Sequence, residues 1–187
     1  MKRLLSSVPA QALMLGVALF AGQAMAQEHF GAATDLTAAQ IKELMPKLGQ
    51  AGLSNDEVMA MVDGNGGPNI GVSLLRYAKS DPTKPAPVNA TAHSDLAEVY
   101  YVLKGSGMLT TGGTIANPTM SKPDSRNDKV LAGPSANGPV TGAKTRKVSE
   151  GDVVLVPRNT PHLVSNVDSE LVFLIVRVDY NKILEKK

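Results

Sequence analysis

The stretch that decides the fold runs from residue 151 to residue 166 and reads GDVVLVPRNTPHLVSN. Gly151 is a turn residue, the apolar run after it has the composition of a strand, and Pro157 stiffens the next turn. His162 then opens another strand, in which a period of two directs His162, Val164 and Asn166 to one face. The stretch therefore predicts two short antiparallel strands, with a histidine at the start of the second.

Short strand patterns continue on both sides of this stretch. The patterned segments are 69–78, 99–103, 108–111, 145–148, 153–156, 162–167 and 171–178. A hairpin turn is expected at 104–107, between the second and third of these segments. Many short strands punctuated by Gly, Pro and Asn predict an antiparallel sandwich or barrel rather than parallel α/β units.

The first 26 residues are predicted to be a signal peptide. Lys2 and Arg3 form its positive start, residues 12–22 its apolar centre, and Ala24-Met25-Ala26 a small-residue cleavage site. The apolar centre is shorter than the roughly 20 residues that a membrane helix needs, so we expect no membrane insertion of the mature protein. We expect a periplasmic or secreted protein, and the absence of cysteine from the sequence is consistent with an oxidising compartment.

Composition and charge narrow the class of partner. Hydrophobic residues make up 43% of the chain and charged residues 19%, which is typical of a globular protein. The 19 Lys and Arg exceed the 17 Asp and Glu only because the leader holds two basic residues and no acid, so the mature chain is neutral. A nucleic-acid surface needs a clustered basic excess, and we expect a small-molecule ligand or substrate instead.

Two segments depart from the strand pattern, and they divide the chain. Residues 27–66 are predicted to be a helical segment, because Thr37 with Gln40 and Ser54 with Glu57 have the form of capping boxes before apolar residues at helical spacing. The helices would form a hairpin broken at 49–52. Residues 67–187 are predicted to form the β-barrel domain, in which 116–143 is a long loop, either solvated or a lid over the barrel mouth.

The spacing in the deciding stretch resembles the second sequence motif of the cupin superfamily. The matching residues are Gly151-x5-Pro157-x-Asn159-x2-His162-x3-Asn166. Asn159 stands where the motif usually has glycine, and asparagine tolerates the positive φ that such a position needs.

The first cupin motif, G-x5-H-x-H-x3,4-E-x6-G, is resembled less completely. His93, Glu98 and Gly105 occupy the places of its second histidine, glutamate and final glycine. Thr91 stands where the first histidine is usual, and Pro85 where the leading glycine is usual. The resemblance covers about residues 70–179, and it implies a mainly β protein with a cupin-type antiparallel β-barrel, the double-stranded β-helix or jelly roll. It also implies a homodimer, since cupins often pair through their barrels.

The resemblance further implies a metal site. In cupins the two histidines and the glutamate of the first motif and the histidine of the second bind a divalent metal, and this chain keeps His93, Glu98 and His162 of that set. Two imidazoles and one carboxylate suit Fe, Mn, Ni or Zn and leave coordination positions open. The lost ligand at Thr91 is expected to weaken affinity. Tyr100, which shares the predicted inward face of Glu98, is a candidate catalytic acid or substrate contact, or else a core residue.

Other assignments of these residues stay open at this point. His93-Ser94-Asp95 with a distant His162 also has the H-x-D…H form of 2-oxoglutarate-dependent oxygenases. It ranks second because their usual arginine lies about ten residues past the distal histidine, whereas Arg177 lies fifteen past it, and because Asp is favoured in turns. Either histidine taken alone is more often a hydrogen-bonded barrel residue than a ligand. His29, near the expected mature terminus, is interpreted as solvated.

Three functions follow from this pattern. The first is an exported metal-dependent enzyme acting on a small organic substrate by oxygenation, isomerisation or lyase chemistry. The alternative is a non-catalytic module that binds a small molecule or sugar and whose metal site has decayed. A third is an interaction protein that assembles through its helical hairpin. Metal content separates the first from the other two.

Overall fold

The computed structural model describes residues 32–185, in which a short helical region leads into eleven strands. The elements are α1 (Ala38–Leu44), a 3₁₀ turn (Met45–Lys47), β1 (Asp56–Val62), β2 (Asn69–Ala78), β3 (Asn89–His93), β4 (Leu96–Thr111), β5 (Thr114–Ile115), β6 (Thr119–Met120), a π-helix (Asn127–Leu131), β7 (Ser135–Thr141), β8 (Lys144–Ser149), β9 (Val153–Val156), β10 (His162–Ser165) and β11 (Glu170–Asp179). The predicted signal peptide and His29 lie outside the described residues.

The strands form an antiparallel barrel of two layers. The pairing order is β1-β2-β11-β4-β10-β3-β7-β5, with β8 and β9 also paired to β4 and β6 paired to β7. One layer contains β1, β2, β11, the first half of β4 and β9. The other contains the second half of β4 with β8, β10, β3 and β7. The mainly β, cupin-type prediction of the fold is confirmed.

Strand β4 passes from one layer to the other without a break. Its pairing with β11 shifts register beside Leu103, which leaves that residue as a bulge. Gly105 follows with a φ of 80°, and a Cβ there would lie 1.8 Å from the backbone oxygen of Glu170, so the bend requires glycine. The predicted hairpin turn at 104–107 is therefore wrong, because the bulge bends a single strand of 16 residues instead of ending it.

The core lies between the two layers and is built by alternation along the strands. Its buried cluster comprises Leu75, Tyr100, Val102, Leu109, Val148, Val164, Val167, Leu171, Phe173 and Ile175. Glu98 is also inward, because it alternates with Tyr100 and Val102 on β4, and the three are 2%, 3% and 0% exposed. A carboxylate thus lies at a core position, where burial without partners is costly.

The N-terminal prediction is half right. Thr37 and Gln40 form the expected capping box, with Gln40 donating its backbone N–H to the Thr37 hydroxyl and accepting from the Thr37 backbone N–H. The second helix is wrong, because residues 56–62 form β1 on the edge of β2. There the Ser54 hydroxyl accepts from the Asp56 backbone N–H and starts a turn, and pairing with β2 satisfies the backbone that a helix would have satisfied internally.

The segment 116–143 is more structured than predicted. It contains β6, the π-helix and the whole of β7, and β7 pairs along the whole of β3. Strand β7 was not predicted, because Gly138 and Pro139 are poor strand residues. A Cβ at Gly138 would lie 2.8 Å from the Ile115 side chain, so close packing against β5 explains the glycine. Strand β3 was also missed, because it is short and follows a Pro-rich connector.

Among residues 32–185, no helix is long and apolar enough to cross a membrane.

Candidate metal centre

The three side chains of the predicted site converge inside the barrel. His93 ends β3, Glu98 lies near the start of β4 and His162 begins β10. The Nε2 atoms of His93 and His162 lie 3.7 and 3.5 Å from Oε2 of Glu98, and each of the three residues offers a ligand atom within 4.8 Å of the others. The two imidazoles are each 10% exposed and the carboxylate 1%. The convergence that the motif spacing implied is therefore present, while metal binding itself stays a prediction.

The turn before β10 fixes the two histidine strands to each other. Asn159 has a φ of 57°, so it takes the conformation that glycine usually supplies at this place in the motif. Its backbone N–H donates to the carbonyl of His93 over 2.8 Å, which joins this turn to the end of β3. Asn166 lies after β10, exposed and with a φ of 45°, so it does not share the strand face of His162 as predicted.

Each imidazole is oriented by an acceptor at Nδ1. Nδ1 of His162 lies 3.0 Å from the carbonyl oxygen of Thr160, which can only accept. Nδ1 of His93 lies 2.7 Å from the Ser135 hydroxyl, and that hydroxyl donates its own proton to the carbonyl of Gly133 over 2.8 Å. Both Nδ1 atoms therefore carry the proton in the neutral ring, and both Nε2 lone pairs face Glu98. Metal-binding histidines are typically oriented in this way.

The protonation state of His93 suits ligation. Burial lowers the pKa of His93 to about 4, although the nearby carboxylate of Glu98 opposes this shift. The ring is therefore neutral at pH 7. A neutral imidazole has a free lone pair, which a divalent transition metal requires.

The Glu98 carboxylate is held by one charged donor and one neutral donor. Arg177 donates from Nε to Oε1 over 3.0 Å, and Tyr100 donates its hydroxyl to Oε2 over 2.9 Å. Burial acts to raise the pKa of Glu98, but the charge of Arg177, together with the two imidazoles, outweighs it and holds the pKa at about 2. The carboxylate is therefore ionised, and Oε2 is the oxygen that faces both histidines.

Arg177 itself lies in a buried ionic network. Its terminal nitrogens donate to both carboxylate oxygens of Asp56, over 3.2 and 2.7 Å, and to the Ser73 hydroxyl over 2.8 Å. Burial alone lowers the pKa of Arg177, but Asp56 and Glu98 more than compensate and raise it above its usual value. This role was not predicted from the sequence, although one signal was present. Arg177 alternates with Phe173 and Ile175 on an inward strand face, where an unpaired charge is not tolerated.

The geometry and chemistry of the three ligands fit a divalent metal. With bonds of about 2.1 Å, tetrahedral ligand atoms lie about 3.4 Å apart, close to the 3.5 and 3.7 Å that separate the nitrogens from Oε2. Two imidazoles and one carboxylate form a set used by Fe(II), Mn(II), Ni(II) and Zn(II). The residues present therefore suit the ion that the resemblance implied, with coordination positions left for other ligands.

Thr91 occupies the place of the missing histidine. It lies directly beside His162 in the pairing of β3 with β10, and beside Asn137 in the pairing of β3 with β7. Its hydroxyl donates to Oδ1 of Asn137 over 2.8 Å. Asn137 thus fixes a hydroxyl beside the candidate ligand His162. Its role was not predicted, because the sequence of β7 has no strand pattern.

Tyr100 lies in the core beside the His162 ring. Tyr100 is buried and its ring lies edge-on to that of His162, with 5.9 Å between centroids, and burial followed by the Glu98 charge raises the pKa of its hydroxyl well above the usual value. Its proposed catalytic role stays a prediction.

Asp95 contacts Ser94, Asn181 and Arg158 and takes no part in the His93–Glu98–His162 group, so the H-x-D assignment is wrong.

A cavity of about 820 Å³ opens beside the three side chains. Its wall includes Thr91, Asn137 and Tyr100, and also Asn127 and Leu131 of the π-helix. Leu131 is only 6% exposed, so the 116–143 segment is packed against the barrel and is not simply a solvated loop. The volume is in the range of small-molecule sites.

The architecture and the site together define a class of protein. An antiparallel double-layered barrel with two histidines and a glutamate on its inner face is the arrangement of the cupin-type double-stranded β-helix. The chain belongs to the cupin family, whose model, described as Cupin, matches residues 75–184. A search of the curated proteins finds no match.

Solved structures with similar coordinates are also cupin-fold proteins or enzymes. One is a putative sugar phosphate isomerase from Acidithiobacillus ferrooxidans, with 18% identity over 78% of this chain and 75% of that one and a TM-score of 0.40. Another is a cupin protein from Bacteroides fragilis, with 15% identity, coverage of 63% and 72%, and a TM-score of 0.34. An oxalate decarboxylase has 20% identity and a TM-score of 0.42 over 73% of this chain but only 29% of its own. Likenesses at this level carry no argument about substrate or reaction.

Proposed function

We propose that the mature chain is a metal-dependent enzyme that acts on a small organic substrate. His93, Glu98 and His162 would hold a divalent Fe, Mn, Ni or Zn ion. The observation that carries the proposal is the shared direction of two Nε2 lone pairs and one carboxylate oxygen, within 4.8 Å of one another, beside a cavity large enough for a substrate. Buried histidines with a merely structural role have no need for this common direction.

The metal, when bound, would supply Lewis-acid chemistry or activation of water or O₂. The chain's own residues supply the surroundings. The three ligand side chains are at most 10% exposed. Thr91 and Asn137 offer a hydroxyl and an amide on the cavity wall, and the Tyr100 hydroxyl donates a hydrogen bond to Oε2 of Glu98. Oxygenation, isomerisation and lyase reactions are all compatible with this arrangement, because a fold alone does not set the reaction.

Metal analysis of the purified mature protein tests the proposal. We expect about one equivalent of a transition metal in the wild type after reconstitution, and loss of that metal in Glu98→Gln and His162→Ala. Glu170→Gln is the matched control, since Glu170 lies on the same layer but pairs with Arg76 and Lys104 near the surface. Equal metal content in Glu98→Gln and the control would contradict the site.

The alternative function is a non-catalytic module that binds a small molecule or sugar. The observation that favours it is Thr91, where the fourth ligand has been replaced by a hydroxyl that is hydrogen-bonded to Asn137. A wild-type protein that stays metal-free after reconstitution with Fe, Mn, Ni and Zn, yet binds a polyol or sugar by calorimetry, would establish this alternative in place of the enzyme.

We also propose that the chain is exported and processed after Ala26. The support is the charged, apolar and small-residue succession in residues 1–26. Fractionation of cells that express the full chain should recover the protein outside the cytoplasm, with Gln27 as the first residue by terminal sequencing. Recovery of full-length protein in the cytoplasm would contradict export.

Finally, we propose that two copies pair through the outer face of the β2-β11-β4-β9 layer. Strand registers place Val72, Val176, Val99 and Leu155 side by side in one row across this face. Val153 and Leu155 are 56% and 72% exposed. Four strands about 4.8 Å apart make this apolar row roughly 19 Å wide. An apolar row can pair with its own copy about a twofold axis.

Light scattering coupled to size exclusion tests the pairing. We expect a dimer for the wild type and a monomer for Leu155→Glu, because the new carboxylate would be buried at the centre of the contact. Val88→Glu is the control, since Val88 is 65% exposed but lies outside this face. A monomeric wild type at micromolar concentration would contradict the dimer.

A further inference from the structure

The carboxylate ligand of the candidate site is tied to a strand that lies outside the family match. Glu98 is held by Arg177, and Arg177 is held by Asp56 of β1. The family match begins at residue 75, whereas Asp56 belongs to the N-terminal segment. A series of contacts therefore runs from an edge strand to the carboxylate ligand through one guanidinium.

The contacts among Asp56, Arg177 and Glu98 give the two Glu98 oxygens different partners. Arg177 Nε donates to Oε1 over 3.0 Å, and Arg177 lies directly opposite Glu98 in the pairing of β11 with β4. Oε1 is therefore engaged on the side of β11, while Oε2 lies within 3.7 Å of both histidine nitrogens. A guanidinium presents its donors in a rigid plane, so it fixes the direction of the carboxylate as well as its charge.

Asp56 affects how Arg177 binds the Glu98 carboxylate. Without Asp56, Arg177 would be a buried cation with Glu98 as its only anionic partner, and a closed two-bond pair would compete with a metal for Oε2. With Asp56 accepting from both terminal nitrogens and Ser73 from one of them, Nε is the donor that contacts Glu98. Two carboxylates and one guanidinium also give the network a net charge of −1, which favours a nearby dication.

We propose that Asp56 and Arg177 are positioning residues for the metal centre, with Arg177 restricting Glu98 to ligation through Oε2 and Asp56 keeping that oxygen available. The inference rests on the proposed metal-dependent function. The N-terminal strand β1 would therefore contribute to the metal site through Asp56. The 116–143 segment supports the same strand, because Arg126 donates to the backbone oxygen of Asp56 over 3.1 Å and pairs with Glu57.

Cobalt(II) titration of the purified mature protein tests the inference without any activity assay. Asp56→Asn keeps the shape of the side chain and removes its charge, and we expect it to weaken Co(II) binding tenfold or more in competition with a chelator. Arg76→Gln is the matched control, because Arg76 forms an ion pair with Glu170 on the same layer away from the site. We expect this control to bind Co(II) within twofold of the wild type.

A second variant keeps the inference falsifiable if a loss of affinity arises from misfolding. Arg177→Lys retains the charge but cannot bridge two carboxylates with a planar fork. We expect its Co(II) absorption spectrum to shift toward a higher coordination number, as Glu98 becomes free to bind through both oxygens, while circular dichroism stays that of the wild type. Asp56→Asn with unchanged affinity, or Arg177→Lys with an unchanged spectrum, would overturn the proposal. A wild type that binds no metal would instead refute the proposed function.

Discussion

The histidine side and the carboxylate side of the site are held in place by different kinds of contact. On the histidine side, His93 and His162 are oriented by a hydroxyl and a backbone carbonyl, both neutral. On the carboxylate side, Glu98 is oriented by an arginine that a second carboxylate anchors. The neutral contacts come from β7 and from the turn before β10. The ionic contacts come from β11 and the edge strand β1.

This difference follows from the charge of each ligand. A neutral imidazole loses little by burial once Nδ1 has an acceptor, so one hydrogen bond suffices. An ionised carboxylate loses several kcal/mol of solvation by burial and needs a cation, which itself must then be neutralised. The carboxylate side therefore spans three strands, whereas each histidine is oriented by a single neighbour. Substitutions on the two sides should accordingly separate effects on stability from effects on metal affinity.

The largest effect is expected from Arg177→Met. This change leaves Glu98 and Asp56 as buried anions without their cation, and breaking a buried pair in this way costs about 3–5 kcal/mol in free energy of unfolding. Denaturant unfolding of the metal-free protein measures it. Arg76→Met, at an ion pair whose side chains are 32% and 25% exposed, should cost at most about 1 kcal/mol. Similar losses of unfolding free energy in the two variants would show that the buried network stabilises the fold no more than the surface ion pair does.

The next effect is a gain of metal affinity in Thr91→His. Thr91 lies beside His162 across β3 and β10, so an imidazole there would supply the ligand that the family motif usually contains. We expect metal affinity to rise about tenfold or more, since a fourth ligand closes an open position. Thr145→His, at an exposed position on β8, is the control for an added histidine. Unchanged affinity in Thr91→His would place residue 91 too far from the ion.

Ser135→Ala is expected to weaken metal binding on the neutral side. The serine hydroxyl is the acceptor for Nδ1 of His93, and loss of such an orienting partner lowers metal affinity by about 10–100-fold. Ser165→Ala, at another buried serine of the cavity wall, is the matched control. Chelator competition distinguishes the two. Equal affinities would mean that the imidazole of His93 keeps its direction through packing alone.

Much of the barrel was predictable from the sequence, and the predictions that were wrong share one cause. Segments 69–78, 153–156 and 171–178 lie within β2, β9 and β11 or match them, because alternation and β-branched content act locally. Residues 56–62 were predicted to be helical, yet they form β1, because partners distant in sequence outweigh local preference. β7 was hidden in the same way by Gly138 and Pro139, whose reason is close packing against neighbouring strands.

Only the site residues that belong to the family motifs were predictable from the sequence. His93, Glu98 and His162 were found because the family pattern fixes their separation, and the structure brings them together. Arg177 and Asp56 were not found, since their relation to Glu98 depends on the pairing of strands 79 and 42 residues away. Ligand identity is thus local information along the chain, whereas the electrostatics that keep a ligand ionised are a property of the assembled sheet.

The smallest effect on metal binding is expected from Tyr100→Phe, which tests a neutral donor on the ionic side. The hydroxyl donates to Oε2 of Glu98, and a hydrogen bond to a charged group contributes about 1.5–3 kcal/mol to stability. Because this bond forms with or without the metal, only part of it is lost from the metal-bound state, and we expect metal affinity to fall by less than about tenfold. Arg177 still holds Oε1, so the direction of Glu98 should survive. Loss of metal as complete as in Glu98→Gln would contradict this and show that the tyrosine, rather than the arginine, orients the carboxylate. Retained metal with lost turnover would instead identify Tyr100 as a residue that acts on substrate.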